Sequence, residues 1–173
     1  MIRPRIHNII KQPSPILLLL LLMSMLGSCA SKGICQSGVL KQADAAPLLQ
    51  FQKAPCYGPC PAYEANIMED GSINLVSWGN IAVPENDTVQ LCFEKQELQQ
   101  LKKTIDKLNY ASLQDAYLTE WTDWPSSYLT FYQNGKAVKR VKHQQGGPEA
   151  LVSFLDNLHQ QLMDLVAKQA KKY

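Results

Sequence analysis

Apolar and polar residues alternate along the first part of the foldable sequence, which is the pattern of half-buried β-strands. The alternation is clearest over residues 63–68, and Asp70-Gly71 after it predicts a tight turn into a returning strand over residues 73–78. Short runs over residues 48–53 and 89–93 predict two further strands. We therefore expect the fold to begin with strands.

Two later segments have apolar residues at helical spacing, which predicts two amphipathic helices. In the first segment these residues are Leu98, Leu101, Ile105 and Leu108, and in the second they are Leu151, Phe154, Leu155, Leu158, Leu162 and Leu165. Between the helices, Asn134-Gly135 is the strongest hairpin signal in the chain and joins predicted strands over residues 128–133 and 136–142. Pro148 suits the first turn of the second helix.

Strands joined by hairpins, with no regular alternation of strand and helix, indicate the α+β class and an antiparallel sheet. The sequence predicts four to six strands with two amphipathic helices packed on one face, in a single domain over residues 48–170. The second face of such a sheet is either covered by water or used as a working surface.

A basic, then apolar, then small-residue segment begins the chain. Three basic residues precede an apolar run over residues 16–22. That run is too short to cross a bilayer as a helix, since about 20 residues are needed. This is the layout of a secretory signal peptide. We assign the signal to residues 1–28 and a flexible tether, with a mean reach of about 25 Å, to residues 29–47.

The apolar run is continued by Met23, Met25 and Leu26, and Leu26-Gly27-Ser28-Cys29 at its end resembles the lipobox of bacterial lipoproteins. The resemblance implies that the Cys29 thiol is diacylated, that the peptide is cut before Cys29, and that lipid holds the protein on a membrane. Two or more acyl chains anchor a protein firmly, because each buried CH₂ contributes about 0.8 kcal/mol. Ala30 stands where an inner-membrane retention aspartate would stand, so we expect the outer membrane.

The apparent basicity of the chain belongs to its signal segment. Residues 1–28 hold three of the 17 basic groups and none of the 15 acidic groups, which leaves a nearly neutral mature chain. A neutral domain offers no electrostatic footprint for nucleic acid. We therefore expect no nucleic-acid partner.

Cys56 and Cys60 lie in the segment Cys-Tyr-Gly-Pro-Cys-Pro, where Gly58 lets the chain turn sharply enough for the two thiols to meet. An exported compartment permits disulfides. A bridge here would close a loop of five residues and contribute about 2 kcal/mol in the entropic account. Such a bond would fix the start of the next strand more than it would stabilise the whole fold.

The run from Cys56 to Tyr63, with the acidic-glycine turn after it, resembles a family of uncharacterised domains from Gram-negative lipoproteins and secreted proteins. The hallmark of that family is Cys-x-Gly-x-Cys-Pro-x-Tyr. Weaker matches are Thr-Asp-x-Pro and a glycine and proline before the last helix, met by Thr122, Asp123, Pro125, Gly147 and Pro148. The resemblance covers about residues 50–165 and implies a fold and a compartment, but no activity.

Three interpretations of Cys56 and Cys60 compete. The first is a structural disulfide at a tight corner. The second is thiol redox chemistry, although thioredoxin-like motifs have two residues between their cysteines and lie in a βαβ context that is missing here. The third is a copper or other soft-metal site completed by His143. Cys35 and Cys92 are a candidate second pair.

Trp121, Asp123 and Trp124 belong to the richest aromatic loop in the chain. Exposed indoles there would form a binding patch for a sugar, a peptide or a protein partner. The simpler expectation is that both indoles pack under the loop onto the sheet. Thr88, in an Asp-Thr-Val triplet, matches a short O-glycosylation sequon used by some Gram-negative lineages. His159 is expected to be a partly buried histidine with a satisfied hydrogen bond.

The sequence has no Gly-x-Ser-x-Gly, His-Glu-x-x-His or phosphate-loop motif, and no two carboxylates are spaced as an acid-base pair. We therefore expect no enzymatic activity and no cofactor. The sequence indicates a lipid-anchored cell-envelope protein that is a binding or structural module. Its expected partners are the membrane, through lipid on Cys29, and an envelope protein or glycan. The alternative is a thiol-redox or copper-handling lipoprotein acting through Cys56 and Cys60.

Overall fold

Seven strands and two α-helices make up the residues that the computed structural model describes, 45–121 and 123–171. The predicted signal peptide and nearly all of the predicted tether lie outside this range. The strands are β1 (Pro47–Lys53), β2 (Ala62–Met68), β3 (Ser72–Gly79), β4 (Thr88–Cys92), β5 (Ala116–Tyr117), β6 (Ser127–Gln133) and β7 (Lys136–His143). The helices are α1 (Lys95–Leu108) and α2 (Glu149–Ala170), and a 3₁₀ turn, Tyr110–Ser112, follows α1.

The seven strands form one sheet in the order β4-β3-β2-β1-β6-β7-β5. Neighbouring strands are antiparallel except β5 and β7, which are parallel. The predicted α+β class is confirmed. The predicted antiparallel sheet of four to six strands is wrong in two respects, because the sheet has seven strands and is mixed. The strand that makes the difference, β5, has only two residues and is too short to show a period.

Both helices cover the same face of the sheet and form the core with it. The predicted stripe of α1 is buried at every position, whereas in α2 Val166 is buried and Leu165 lies at the edge of the core. The strands contribute fully buried side chains, among them Leu49, Phe51, Tyr63, Ile67, Ile73 and Leu75. Each large apolar side chain that is removed from water contributes about 1.5–3 kcal/mol, so this layer supplies most of the drive to fold.

Two tight turns set the register of the sheet. Asn134 and Gly135 both have positive φ, +50° and +73°, as a two-residue hairpin of type I′ requires. Gly71 has φ +89° and donates its N–H to the carbonyl of Met68 at 3.0 Å. The two hairpins predicted from Asp-Gly and Asn-Gly are therefore confirmed.

The two ends of the sheet differ in what they carry. The chain enters β1 at one end, where the N–H of Glu69, in the turn between β2 and β3, donates to the carbonyl of Ala46 at 2.9 Å. The strand directions bring four connecting segments to the opposite end, which we name the loop end. These segments are residues 54–61, 80–87, 118–126 and 144–148.

A glycine pair at the loop end leads into α2. Gly147 has φ +85° and lies against the ring of Tyr117, so that a β-carbon at this position would be 2.8 Å from the ring. Gly146 has a similar φ of +70°, but no atom lies within 4 Å of where its β-carbon would be. Both glycines are thus required by backbone conformation, and only Gly147 is also required by contact.

We predict that Gly147→Ala lowers the free energy of unfolding by about 3 kcal/mol. The left-handed backbone contributes about 1–2 kcal/mol of this, and displacement of the Tyr117 ring contributes the rest. Gly146→Ala should cost about 1 kcal/mol, because it has only the backbone term. Urea denaturation of both variants measures the difference. Equal costs would show that the contact with Tyr117 contributes nothing.

Candidate binding surface

The face of the sheet opposite the helices carries a closed ring of hydrogen-bonded side chains. Arg140 on β7 and Glu64 on β2 are its charged members. Neutral side chains from three strands link them in two series. The linking residues are Gln50 and Gln52 on β1, Asn66 on β2 and Thr130 on β6.

Every hydrogen bond of this ring points from the cation towards the carboxylate. In the shorter series Arg140 donates to Gln52 at 2.8 Å, and Gln52 donates to Glu64 at 2.5 Å. The longer series runs Arg140, Thr130, Gln50, Asn66, Glu64, with distances of 3.5, 3.5, 3.0 and 2.8 Å. Bonds aligned in this way polarise one another. The side-chain amides on this face are therefore already hydrogen-bonded within the ring, which makes the face a poor candidate for ligand binding.

The loop end carries most of the exposed large apolar side chains. Among the described residues five such side chains are exposed, and four of them lie at the loop end. These four are Tyr57, Leu118, Trp121 and Trp124, with exposed fractions of 100, 59, 71 and 45%. The fifth, Val138 on β7, is 47% exposed. Apolar groups gathered in one place mark an interaction site, whereas scattered ones do not. We name Tyr57, Trp121 and Trp124 the aromatic rim.

The two indoles do not pack under their loop, so the simpler expectation for them is wrong. The side chain of Gln144 holds the inner side of the loop instead. Gln144 accepts a hydrogen bond from the N–H of Thr119 at 3.4 Å, and its amide donates to the carbonyl of Trp124 at 3.5 Å and to the hydroxyl of Ser126 at 3.1 Å. Because Gln144 occupies the inner side of the loop, the two indoles remain partly or largely exposed to solvent.

Tyr57 lies between the two cysteines of the motif. Cys56 and Cys60 are joined by a disulfide, with their α-carbons 5.8 Å apart. The N–H of Gly58 donates to the carbonyl of Cys56 at 2.8 Å and tightens the loop further. The phenol therefore stands at the tip of a small closed loop, where no neighbour can cover it.

Two hydrogen bonds tie this disulfide loop to its surroundings. The N–H of Ala54 donates to the carbonyl of Ser126 at 2.8 Å, which joins the disulfide loop to the segment 118–126, which we name the tryptophan loop. The side chain of Asn80 donates to the carbonyl of Cys60 at 3.1 Å from the end of β3. The aromatic rim is thus carried by two loops that are fixed to each other.

The four connecting segments of the loop end are acidic, and Lys53 and Lys142 flank them at the ends of β1 and β7. Their acidic residues are Glu85, Asp87, Glu120 and Asp123. No lysine or arginine occurs in the described residues of these four segments. Exposed carboxylates repel anionic ligands and accept hydrogen bonds from hydroxyl and amide donors.

A buried polar cluster lies just inside this end of the sheet. Tyr63 is fully buried, and its hydroxyl lies 2.8 Å from Nδ1 of His159 on α2, with the two rings stacked. Burial raises the pKa of Tyr63 far above its usual range, so the phenol stays protonated and shares a hydrogen bond with the imidazole. Burial and the charge of Lys53 lower the pKa of His159, while Asp156 opposes them. The expected satisfied histidine is confirmed.

The metal ligands considered from the sequence are not brought together. Nε2 of His143 lies 2.8 Å from the carbonyl of Gly146, and its ring lies beside Tyr117. Within residues 45–121 and 123–171, no group of three or more His, Cys, Asp or Glu side chains could hold a metal ion. His143 therefore does not complete a site with Cys56 and Cys60.

The remaining candidates are placed only in part. Thr88 is the exposed first residue of β4, so its side chain is open to modification, and glycosylation there stays a prediction. Cys92 takes part in a disulfide. Because Cys35 lies outside the described residues, the pairing of these two cysteines stays a prediction.

The lipidation candidate Cys29 also lies outside the described residues, so its modification stays a prediction. No described helix has the length and apolarity to span a bilayer.

One comparison with known proteins identifies a family. The sequence profile of a family described as a domain of unknown function, DUF6438, matches residues 47–162. The chain belongs to this family. The match begins with β1 and ends within α2, so the DUF6438 domain includes the whole sheet and both candidate surfaces. No curated protein matches the chain significantly.

Sequence reasoning missed two contributors to the loop end of this DUF6438 domain. Tyr57 could have been found, because an aromatic residue at the tip of a five-residue bridged loop has no neighbour to cover it. Gln144 could not have been found, because its contacts with the tryptophan loop depend on the packing of β5 against β7.

We predict that the Cys56–Cys60 bridge is structural. Replacing both cysteines by serine should lower the free energy of unfolding by about 2 kcal/mol, since the closed loop is short. Thiol labelling of the unfolded, unreduced protein should find no free thiol at either position, and mass mapping should find no bound metal. Ready exchange with glutathione, or copper bound to the pair, would make the motif a redox or metal site instead.

We predict that stability declines as the pH falls through 6.5. The pKa of His159 is lower in the folded protein than in the unfolded chain, so the unfolded chain binds the proton more readily. The contribution of neutral His159 is therefore complete above pH 6.5 and is lost below it. Urea denaturation between about pH 5 and 8 should give a shallower dependence of stability on pH for His159→Gln, whose amide can still form a hydrogen bond with the Tyr63 hydroxyl. Unchanged slopes would contradict this role.

Proposed function

We propose that this protein is a non-enzymatic binding module of the cell envelope, held on a membrane by lipid on Cys29, and that it binds its partner with the loop end. The observation that carries the proposal is the position of the aromatic rim. Three large rings are exposed on two linked loops, at the end of the sheet opposite the point where the chain enters β1.

The exposure of these rings has a cost that a binding role would explain. A fully buried aromatic side chain contributes about 1.5–3 kcal/mol of apolar burial, and the rim forgoes most of this in the unbound protein. Aromatic residues are enriched among those that dominate binding energy at interfaces. The hydrogen bonds from Gln144 and the disulfide restrain the backbone of the two loops before binding, which reduces the entropy lost on association.

The open face of the sheet gives less support to a binding role. Its amides are engaged in the ring between Arg140 and Glu64, so a ligand would have to break those bonds to form its own. The redox and copper alternative also lacks a supporting contact. Among the described residues, no histidine or lysine side chain makes a hydrogen bond to either sulfur of the Cys56–Cys60 bridge, and no metal-binding cluster is present.

Site-specific photo-crosslinking in living cells tests this proposal. A photoreactive phenylalanine analogue placed at Trp124 should give adducts of higher mass in the envelope fraction. The matched control is the same analogue at Val138, which has a nearly equal exposed fraction but belongs to β7, outside the loop end. Adducts at Val138, with none at Trp124, would place binding on a different surface and overturn the proposal.

The anchor is tested in the same cells. Cys29→Ser should prevent lipid attachment, and the chain should no longer fractionate as a mature, lipid-modified membrane protein. Adducts at Trp124 should then be lost or reduced, because the domain is no longer held near its partner. Mature, lipid-modified protein in the Cys29→Ser strain would contradict the assignment of the lipidated residue.

A further inference from the structure

Cys92 is the last residue of β4, the strand at one edge of the sheet, and it takes part in a disulfide. The chain has five cysteines, and Cys56 and Cys60 are bonded to each other. Within one chain, the partner of Cys92 is therefore Cys29 or Cys35. Both candidates lie in the segment before the domain, so either bond joins that segment to the edge of the sheet.

The position of Cys92 suits a bond to this segment. The chain enters β1 at Pro47, opposite Met68, and Cys92 lies opposite Ser72, across the turn between β2 and β3. Cys92 and Pro47 are therefore at the same end of the sheet, three strand spacings or about 14 Å apart. The eleven residues between Cys35 and Pro47 span up to about 40 Å when extended, so the bond needs no rearrangement of the sheet.

The strand β4 also lacks the features that protect most edge strands, since its five residues include no charge and no proline. Asp87 and Phe93, the residues that flank β4, make backbone hydrogen bonds towards β3 at 2.9 and 3.0 Å. By alternation, the backbone groups of Thr88, Gln90 and Cys92 point away from the sheet. A segment fixed beside Cys92 would cover an edge that is otherwise open to pairing with another chain.

We propose that Cys35 is bonded to Cys92 and that this bond pins the N-terminal segment of the exported chain to the edge of the sheet. The choice of Cys35 rests on the proposed function, because a Cys29 sulfur that carries lipid as a thioether has no thiol left to oxidise. Closing the bridge joins the sulfurs of Cys35 and Cys92 and removes two protons and two electrons. A protein disulfide of the exported compartment accepts them and becomes a dithiol.

The pin shortens the attachment of the domain. Seventeen residues lie between Cys29 and Pro47, but only five lie between Cys29 and Cys35. With the bond closed, a pull on the lipid-bearing end reaches the sheet at Cys92, and with the bond open it reaches the sheet at the start of β1. From Cys35 onward the domain thus has two covalent links to its anchor, one through the backbone and one through sulfur.

Peptide mapping without reductant tests the pairing on the full-length protein, purified from membranes with free thiols blocked during lysis. Trypsin with a glutamate-specific protease places Cys29, Cys35 and Cys92 on separate peptides, residues 29–32, 33–41 and 86–94. We expect the second peptide to be joined to the third, and the first to carry lipid.

The other results of the mapping separate this inference from the proposed anchor. The first peptide joined to the third would refute both the pin and the lipid on Cys29. A free Cys92 thiol, with lipid on Cys29, would overturn the pin alone. The expected bond without lipid on Cys29 would support the pin and refute the anchor.

A cleavage assay tests the pin on the membrane. A recognition sequence for a site-specific protease is inserted between Lys41 and Gln42, which lie between Cys35 and β1. After cleavage of isolated membranes without reductant, the domain should stay in the membrane pellet, because the disulfide alone joins it to the lipid-bearing segment. Adding dithiothreitol should then release the domain into the supernatant.

Cys35→Ser is the matched variant, because it removes the bond and leaves Cys29 and the inserted site intact. Cleavage should release its domain without reductant. The double variant Cys56→Ser with Cys60→Ser lacks the other bridge and should behave like the parent protein. Release of the parent domain without reductant would overturn the inference. Retention of the cleaved Cys35→Ser domain would also overturn it, because something other than the disulfide would then hold the domain.

Discussion

The sheet depends on the pairing of β1 with strands on both sides. β2, β3 and β4 lie to one side of β1, and β6, β7 and β5 lie to the other, so β1 is the strand that joins the two halves. Leu49 and Phe51 on β1 are fully buried beneath the helices, in register with Ile67 and Ala65 on β2. Their burial fixes which face of the sheet is core and which is polar, because a shift of one residue would exchange the two faces.

The polar face and the loop end follow from this register. With Leu49 and Phe51 directed to the core, Gln50 and Gln52 must lie on the opposite face, next to Asn66 and Glu64. The ring that links Glu64 to Arg140 is therefore a consequence of the core pattern. The same strand directions gather the disulfide loop and the tryptophan loop at one end. A surface whose polar groups bond one another and a surface that is apolar and exposed thus coexist in one domain, the first set by the register of β1 and the second by the strand directions.

Local signals in the sequence predicted the elements whose conformation is decided locally. Asn134-Gly135 predicted its hairpin because both residues adopt positive φ, and the stripe from Leu98 to Leu108 predicted α1 because its period matches one helix face. The strand β5 was missed because it is stabilised by contacts with β7, which is distant in the sequence. The backbone of β7 pairs with β5, and Lys139 on β7 forms an ion pair with Asp115, the residue before β5. The exposure of Trp121 and Trp124 was missed for a similar reason, since Gln144, about 20 residues later, occupies the inner side of their loop.

The place of β1 between two neighbours has a mechanical consequence. The chain enters at the foot of β1, and the disulfide loop follows directly from its other end. If the domain is pulled at the start of β1 and, by a ligand, at the tryptophan loop that leads into β6, tension passes from β1 to β6 parallel to the strand axis. The hydrogen bonds to β2 and β6 lie across that axis. These hydrogen bonds would be loaded in shear, so they would have to break together and could not open one after another. The strand that organises the fold would therefore also resist mechanical unfolding most strongly.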